Sequence, residues 1–92
     1  MKKLDEHEVR QALEAAPEWA LAGGELEREW TFPDFVAAMK FVNRVAEIAE
    51  DAGHHPDIDI RYNKVKLGLV THDAGGITAS DAQMAARLSR EL

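Results

Sequence analysis

Hydrophobic positions change period several times along the chain, and each change marks an element. Asp5 followed by Glu8 has the spacing of a capping box, and Val9, Leu13 and Ala16 then recur at helical intervals before Pro17. This predicts a short helix over about residues 5–16. From Trp19 to Ala22 and again from Leu26, where Leu26, Arg28, Trp30 and Phe32 alternate with Glu27, Glu29 and Thr31, the period becomes that of strands; Gly23-Gly24 between them predicts a tight hairpin. Phe35, Ala38, Met39, Val42, Ala46 and Ala49 return to helical spacing. Thr31 and Asp34 offer a capping pair and Gly53 a stop, which sets a central helix at about 33–52. Ile58, Ile60 and Tyr62, then Val65, Leu67 and Leu69 after Asn63-Lys64, predict a second hairpin. Thr78 and Asp81 repeat the capping spacing before Ala82, Ala85, Ala86 and Leu88, so a last helix closes the chain.

The order α-β-β-α-β-β-α lacks the alternation that builds parallel sheets. It predicts an α+β fold in which a four-stranded antiparallel sheet carries three helices on one face. At 92 residues the chain builds one modest core, and 1–92 is read as a single domain.

A two-residue turn at Asn63-Lys64 would set Tyr62 opposite Val65, Ile60 opposite Leu67 and Ile58 opposite Leu69, matching apolar to apolar. Continued outward, the same register sets His72 opposite His55, beside the end of the central helix at Gly53. His54, His55 and His72 are therefore expected to meet, with Glu50 in reach from the last helical turn. Imidazole titrates nearest neutrality of all side chains, so neighbouring histidines suit proton transfer without a nucleophile. The rival is an open zinc shell of three imidazoles and a carboxylate. Adjacent His54 and His55 on an extended loop tend to point apart, and the helical His-x-x-x-His spacing is missing, so the acid/base reading is preferred and no metal is assigned. His7 is read as a solvated residue of the first helix, and Asp81 by itself as the capping partner of Thr78.

Composition narrows the field further. Seventeen acidic residues against eleven basic ones give a net charge of −6, with no Lys/Arg stripe to engage a phosphate backbone, so direct nucleic-acid binding is disfavoured. The absence of cysteine removes thiolate chemistry. Lys2 and Lys3 are followed by no apolar signal region, and no apolar run of about 18 residues occurs, so neither a membrane span nor export is expected and a cytoplasmic protein is read.

The stretch Glu50-x-x-x-His54-His55-Pro56, then Tyr62-Asn63-Lys64-Val65, Thr71-His72 and Gly76-Ile77-Thr78 to Asp81, resembles the signature of the pterin-4a-carbinolamine dehydratases. The resemblance extends to Trp19, to Phe32-x-x-Phe35 and to the closing helix. It implies the same α+β fold and a hydro-lyase, 4a-hydroxytetrahydrobiopterin dehydratase, which eliminates water from a 4a-hydroxytetrahydropterin to give a quinonoid dihydropterin. It further implies no metal or organic cofactor, His54, His55 and His72 as catalytic and substrate-binding imidazoles, and Glu50 as the residue tuning one of them. Tyr62 and Trp19 are the aromatic candidates for contact with a flat pterin, each with an equal claim to the core, and Asp81 joins the substrate-binding set. Family habit adds a homo-oligomer, dimer or tetramer, and an aromatic amino acid hydroxylase in the same pathway. A non-catalytic pterin-binding or coactivator-like interaction module on the same fold is the alternative.

Overall fold

The computed structural model describes residues 1–92. Helix α1 (Glu6–Ala15) begins with a complete capping box: Asp5 Oδ1 accepts the Glu8 N–H at 2.8 Å, and Glu8 Oε1 accepts the Asp5 N–H at 3.0 Å. Strands β1 (Ala20–Ala22) and β2 (Glu25–Thr31) are joined by Gly23-Gly24, whose φ values of 57° and 81° supply the left-handed pair that a tight hairpin needs. Helix α2 (Phe35–Ala52) is capped by Asp34, whose Oδ1 accepts the Ala37 N–H at 2.8 Å. Thr31, expected to share that cap, is instead the last residue of β2. Strands β3 (Asp57–Arg61) and β4 (Lys64–Leu69) form the second hairpin, and helix α3 (Ala79–Glu91) completes the chain. Four antiparallel strands in the order β1-β2-β4-β3 and three helices give the α+β fold expected from the patterning.

The two central strands carry the core. Leu26 of β2 with Val65, Leu67 and Leu69 of β4 face Val45, Ile48 and Ala49 of α2 and Met84, Ala85 and Leu88 of α3, and all are buried. Each fully buried aliphatic side chain is worth about 1.5–3 kcal/mol, so this layer is what holds the helices on the sheet. Ile58 and Ile60 of β3 lie on the same face, paired with Leu67 and Val65, yet remain 38% and 39% exposed because the helices stop short of that edge. The opposite face is polar, with Glu29 on β2, Lys66 on β4 and Asp59 on β3 in lateral register and Glu27 opposite Gly68.

The second hairpin departs from expectation in register. Tyr62-Asn63 form the turn, not Asn63-Lys64, so Arg61 pairs with Lys64, Ile60 with Val65, Ile58 with Leu67 and Asp57 with Gly68. Each β3 residue thus meets a partner two positions earlier in β4, a slip that keeps every side chain on its face. Both registers set apolar against apolar, which is why alternation alone did not separate them. Asn63 decides the matter: its Nδ2 donates to the Phe32 carbonyl at 2.8 Å and its own carbonyl accepts the Phe32 N–H at 2.8 Å, pinning the turn to the end of β2. The left-handed position falls on Tyr62, at φ 53°. Strand β4 then ends at Leu69, so His72 does not pair across the sheet with His55. It opens a single 3-10 turn, His72–Ala74, closed by Gly75 at φ 73°, while Thr71 bridges to Gly76.

Candidate active site

The end of α2 aims the first histidine. Gly53 takes the left-handed conformation at φ 65°, its N–H bonds to the Glu50 carbonyl at 3.3 Å, and the His54 N–H reaches back to the Ala49 carbonyl at 3.2 Å. This is a Schellman closure, and it fixes the backbone of His54 to the last helical turn. The His54 ring then lies against α3, with Nε2 2.5 Å from Asp81 Oδ1.

Asp81 has no exposed surface and every oxygen is used. Its Oδ2 accepts the Thr78 N–H at 2.8 Å, as the capping spacing predicts, and the Thr71 hydroxyl at 2.8 Å, while Oδ1 faces His54. The Thr71 hydroxyl lies 2.8 Å from that of Thr78. One buried carboxylate therefore caps α3, ties down the loop after β4 and orients an imidazole that is 18% exposed in its side chain. The capping reading of Asp81 is met, and the same carboxylate also contacts His54.

His55 is exposed and its Nε2 contacts Glu50 Oε2, so the carboxylate expected near the cluster pairs with this imidazole. His72 is exposed as well, its Nε2 3.7 Å from Asp57 Oδ1 at the start of β3. Each histidine thus presents Nε2 to a different carboxylate. Gly53, His54, His55, Val70, Thr71, His72 and Asp73 line one open depression of about 310 Å³. The three imidazoles share this hollow, although the strand pairing expected to bring His55 and His72 together is not what joins them. On the other side of His54, α3 lines a second hollow of about 310 Å³ with Ser80, Gln83, Arg87 and Arg90. Arg87 there is held by Asp51 at 2.8 Å and by Glu91 at 2.6 Å, and its hydrogen bond keeps the Glu91 carboxyl below its ordinary range.

Two aromatic candidates lie elsewhere. Trp19 is 3% exposed, stands edge-on to Trp30 with ring centroids 5.9 Å apart and donates Nε1–H to Ser89 Oγ at 3.2 Å, so it is a core residue. Tyr62 is exposed in the β3–β4 turn, at the opposite end of that hairpin from Asp57 and the histidines. His7 is exposed on α1. Asp57 was not singled out from the sequence, and Thr71 only as part of the family signature. Asp57 follows Pro56 directly and reads as a strand residue, and only the correct register shows it facing the loop that carries His72.

Three histidines thus stand at the open end of the second hairpin, each beside a carboxylate. The chain belongs to the pterin 4 alpha carbinolamine dehydratase family, whose model matches residues 2–91. A relative from Acidobacterium capsulatum, whose name assigns it provisionally as a pterin-4-alpha-carbinolamine dehydratase, is 57% identical over 92 residues and covers 100% of both chains. A similarly named relative from Chloroflexus aurantiacus is 50% identical, covering 96% of this chain and 95% of its own. The crystal structure of a transcriptional coactivator/pterin dehydratase from Brucella melitensis superposes with a TM-score of 0.86 at 34% identity, over 97% of this chain and 96% of that one. No helix is long and apolar enough to cross a membrane.

Proposed function

We propose that this chain catalyses loss of water from a 4a-hydroxytetrahydropterin, giving a quinonoid dihydropterin in tetrahydropterin recycling. The observation that carries the reading is the shared depression in which His54, His55 and His72 stand with separate carboxylate partners. In this reaction the C4a–O bond breaks as the leaving oxygen gains a proton, the N5–H is lost, and the nitrogen electron pair closes the C4a=N5 bond. A general acid and a general base must therefore address one small ring from different directions. Imidazoles set beside carboxylates on two separate segments meet that demand: the α2 exit holds His54 and His55, and the loop after β4 holds His72. Which imidazole is acid and which base is a property of the coupled set. Glu50, Asp57 and Asp81 are the positioning carboxylates, and Trp19 and Tyr62 stand outside the site.

The same fold could serve as an interaction module, a reading favoured by the coactivator named in the Brucella melitensis structure and by the exposed Ile58 and Ile60 on the β3 edge. One assay separates the two. Dehydration of 4a-hydroxytetrahydropterin, followed by ultraviolet absorbance, is accelerated by the wild-type protein and falls steeply in His54→Ala and His72→Ala; a folded wild-type protein that gives no acceleration sinks the dehydratase and leaves the interaction module.

A further inference from the structure

Thr71 lines the depression that His54, His55 and His72 share, and it is tied to both histidine segments. Its hydroxyl donates to Asp81 Oδ2 at 2.8 Å, and a hydroxyl has one hydrogen to give. In its other contact, also at 2.8 Å, the Thr78 hydroxyl is therefore the donor and the Thr71 oxygen the acceptor. Donation runs one way, from Thr78 through Thr71 to Asp81, and Thr78 and Asp81 are wholly buried. In such surroundings hydrogen bonds in series strengthen one another, and a missing link leaves a buried polar group unpaired.

The orientation of the carboxylate follows from this series. Asp81 Oδ2 receives two donors from different elements, the Thr78 N–H at the start of α3 and the Thr71 hydroxyl in the loop after β4, both at 2.8 Å. One bond would let the carboxylate turn about that contact. Two, from separate directions, fix it with Oδ1 toward His54 Nε2, 2.5 Å away. A carboxylate only accepts, so Nε2 is the nitrogen of His54 that carries a proton. Threonine suits this position, because its backbone is extended, at φ −103° and ψ 100°, and branching at Cβ restricts the side-chain rotamer that aims the hydroxyl.

The backbone of the same residue holds His72. The Thr71 N–H bonds to the Gly76 carbonyl at 3.0 Å, and the Thr71 carbonyl accepts the N–H groups of Ala74 at 3.1 Å and Gly75 at 3.0 Å. These bonds close the 3-10 turn that opens on His72. We propose, on the reading of His54 as a proton-transfer group, that Thr71 is a positioning residue of the site: its hydroxyl sets the His54 ring through Asp81, and its main chain sets the turn that bears His72. The two actions are separable, since a side-chain substitution removes the first and leaves the second.

The test compares the wild type with Thr71→Val, Thr71→Ala and Thr71→Ser by long-range proton–nitrogen NMR correlation of the imidazoles, beside the dehydration assay. Valine keeps the branched shape and the main-chain bonds and deletes the hydroxyl; alanine carries the test if valine folds poorly. In the wild type the neutral His54 ring is expected in the tautomer protonated at Nε2. In Thr71→Val that preference relaxes toward a mixture of the two tautomers, while the His72 nitrogens keep their shifts. In the same variant kcat falls by about ten- to a hundredfold with KM retained, as for a small misplacement of a reacting group. Thr71→Ser restores the hydroxyl and recovers both the tautomer and most of kcat. A merely structural role would disturb His54 and His72 together, or leave the serine variant as impaired as alanine, and either result overturns the assignment. So does an unchanged His54 spectrum or full kcat in Thr71→Val and Thr71→Ala. Loss and recovery of the His54 tautomer in a protein without turnover upholds the positioning role and instead defeats the dehydratase reading.

Discussion

His54 Nε2 and Asp81 Oδ1 lie 2.5 Å apart although 27 residues separate them, and this contact joins the end of α2 to the start of α3. It links the reactive surface to the stability of the fold, because the same carboxylate receives the Thr78 N–H and the Thr71 hydroxyl. Asp81→Ala removes a helix cap and strands buried donors, for an expected loss of about 2–4 kcal/mol in urea denaturation. Asp81→Asn keeps the shape and removes the charge that orients the imidazole, so it should lose less stability than the alanine variant and more activity than stability alone explains. If Asp81→Asn turns over substrate at the wild-type rate, the carboxylate is a cap and nothing more.

The three histidines should separate by their surroundings. His54→Ala and His72→Ala are each expected to lower kcat by about 10²–10⁴-fold, the usual range for loss of a general acid or base. Far-UV circular dichroism should stay unchanged for His72→Ala, since that side chain is 76% exposed. Glu50→Gln acts on His55 through an exposed pair, with side chains 62% and 78% accessible, and a loss below about tenfold is expected because solvent screens such contacts. Equal losses in Glu50→Gln and His72→Ala would mean that the Glu50 carboxylate itself takes part in the chemistry.

Trp19 and Tyr62 were the sequence candidates for stacking on a pterin, and their placement predicts opposite mutational signatures. Trp19→Ala should cost about 3–5 kcal/mol, the range for deleting a buried aromatic, while Trp19→Phe should keep kcat/KM near wild type. Thermal or chemical denaturation beside the dehydration assay decides it. A variant with full stability and lost turnover would return Trp19 to the site.

Tyr62 carries a different signature because it occupies a left-handed turn position at φ 53°. That backbone costs a residue with a Cβ about 1–2 kcal/mol, part of which glycine gives back through its flexible unfolded chain. Tyr62→Gly is expected to gain about 0.5–1 kcal/mol. Its kcat/KM should be unaltered, since the length of β3, about 16 Å at strand spacing, separates the turn from Asp57. A drop in kcat/KM would show that Tyr62 contacts substrate after all.

These cases show what the amino-acid pattern could and could not convey. Element order, the Asp5 and Asp34 caps, the Gly23-Gly24 turn and the Gly53 stop are local features with local chemistry, and they are legible because each involves residues within a few positions of one another. The register of the second hairpin depends on Asn63 bonding to Phe32, a contact over 31 positions that periodicity does not encode. The slip of two residues then changed what faces what. His55 lost its expected partner in His72, Asp57 came opposite Gly68, and Asp59 came opposite Lys66. That the histidines still share one hollow follows from the Schellman turn at Gly53 and the short 3-10 turn after β4, which bring loops together where strands were expected to pair. Asp81 was read as a cap from spacing and reached for substrate contact only by family resemblance. Its bond to His54 is tertiary, so no spacing could have shown it.

Glu25 offers a prediction about stability. A carboxyl whose folded pKa lies above its unfolded one binds protons more readily in the folded chain, so unfolding stability falls as pH rises through the interval between the two values. That interval opens at the ordinary glutamate value, about 4.3, and extends upward. Above it the destabilising contribution is fully present, and below it both states are protonated and it vanishes. Glu25→Gln removes the charge while keeping the shape of the side chain, so its Tm relative to wild type should be more favourable at pH 7 than at pH 3.5. Melting both proteins at the two pH values measures the difference directly. An offset that is the same at both, or larger in acid, would mean that burial beside Asp57 and Glu27 does not disfavour the ionised form.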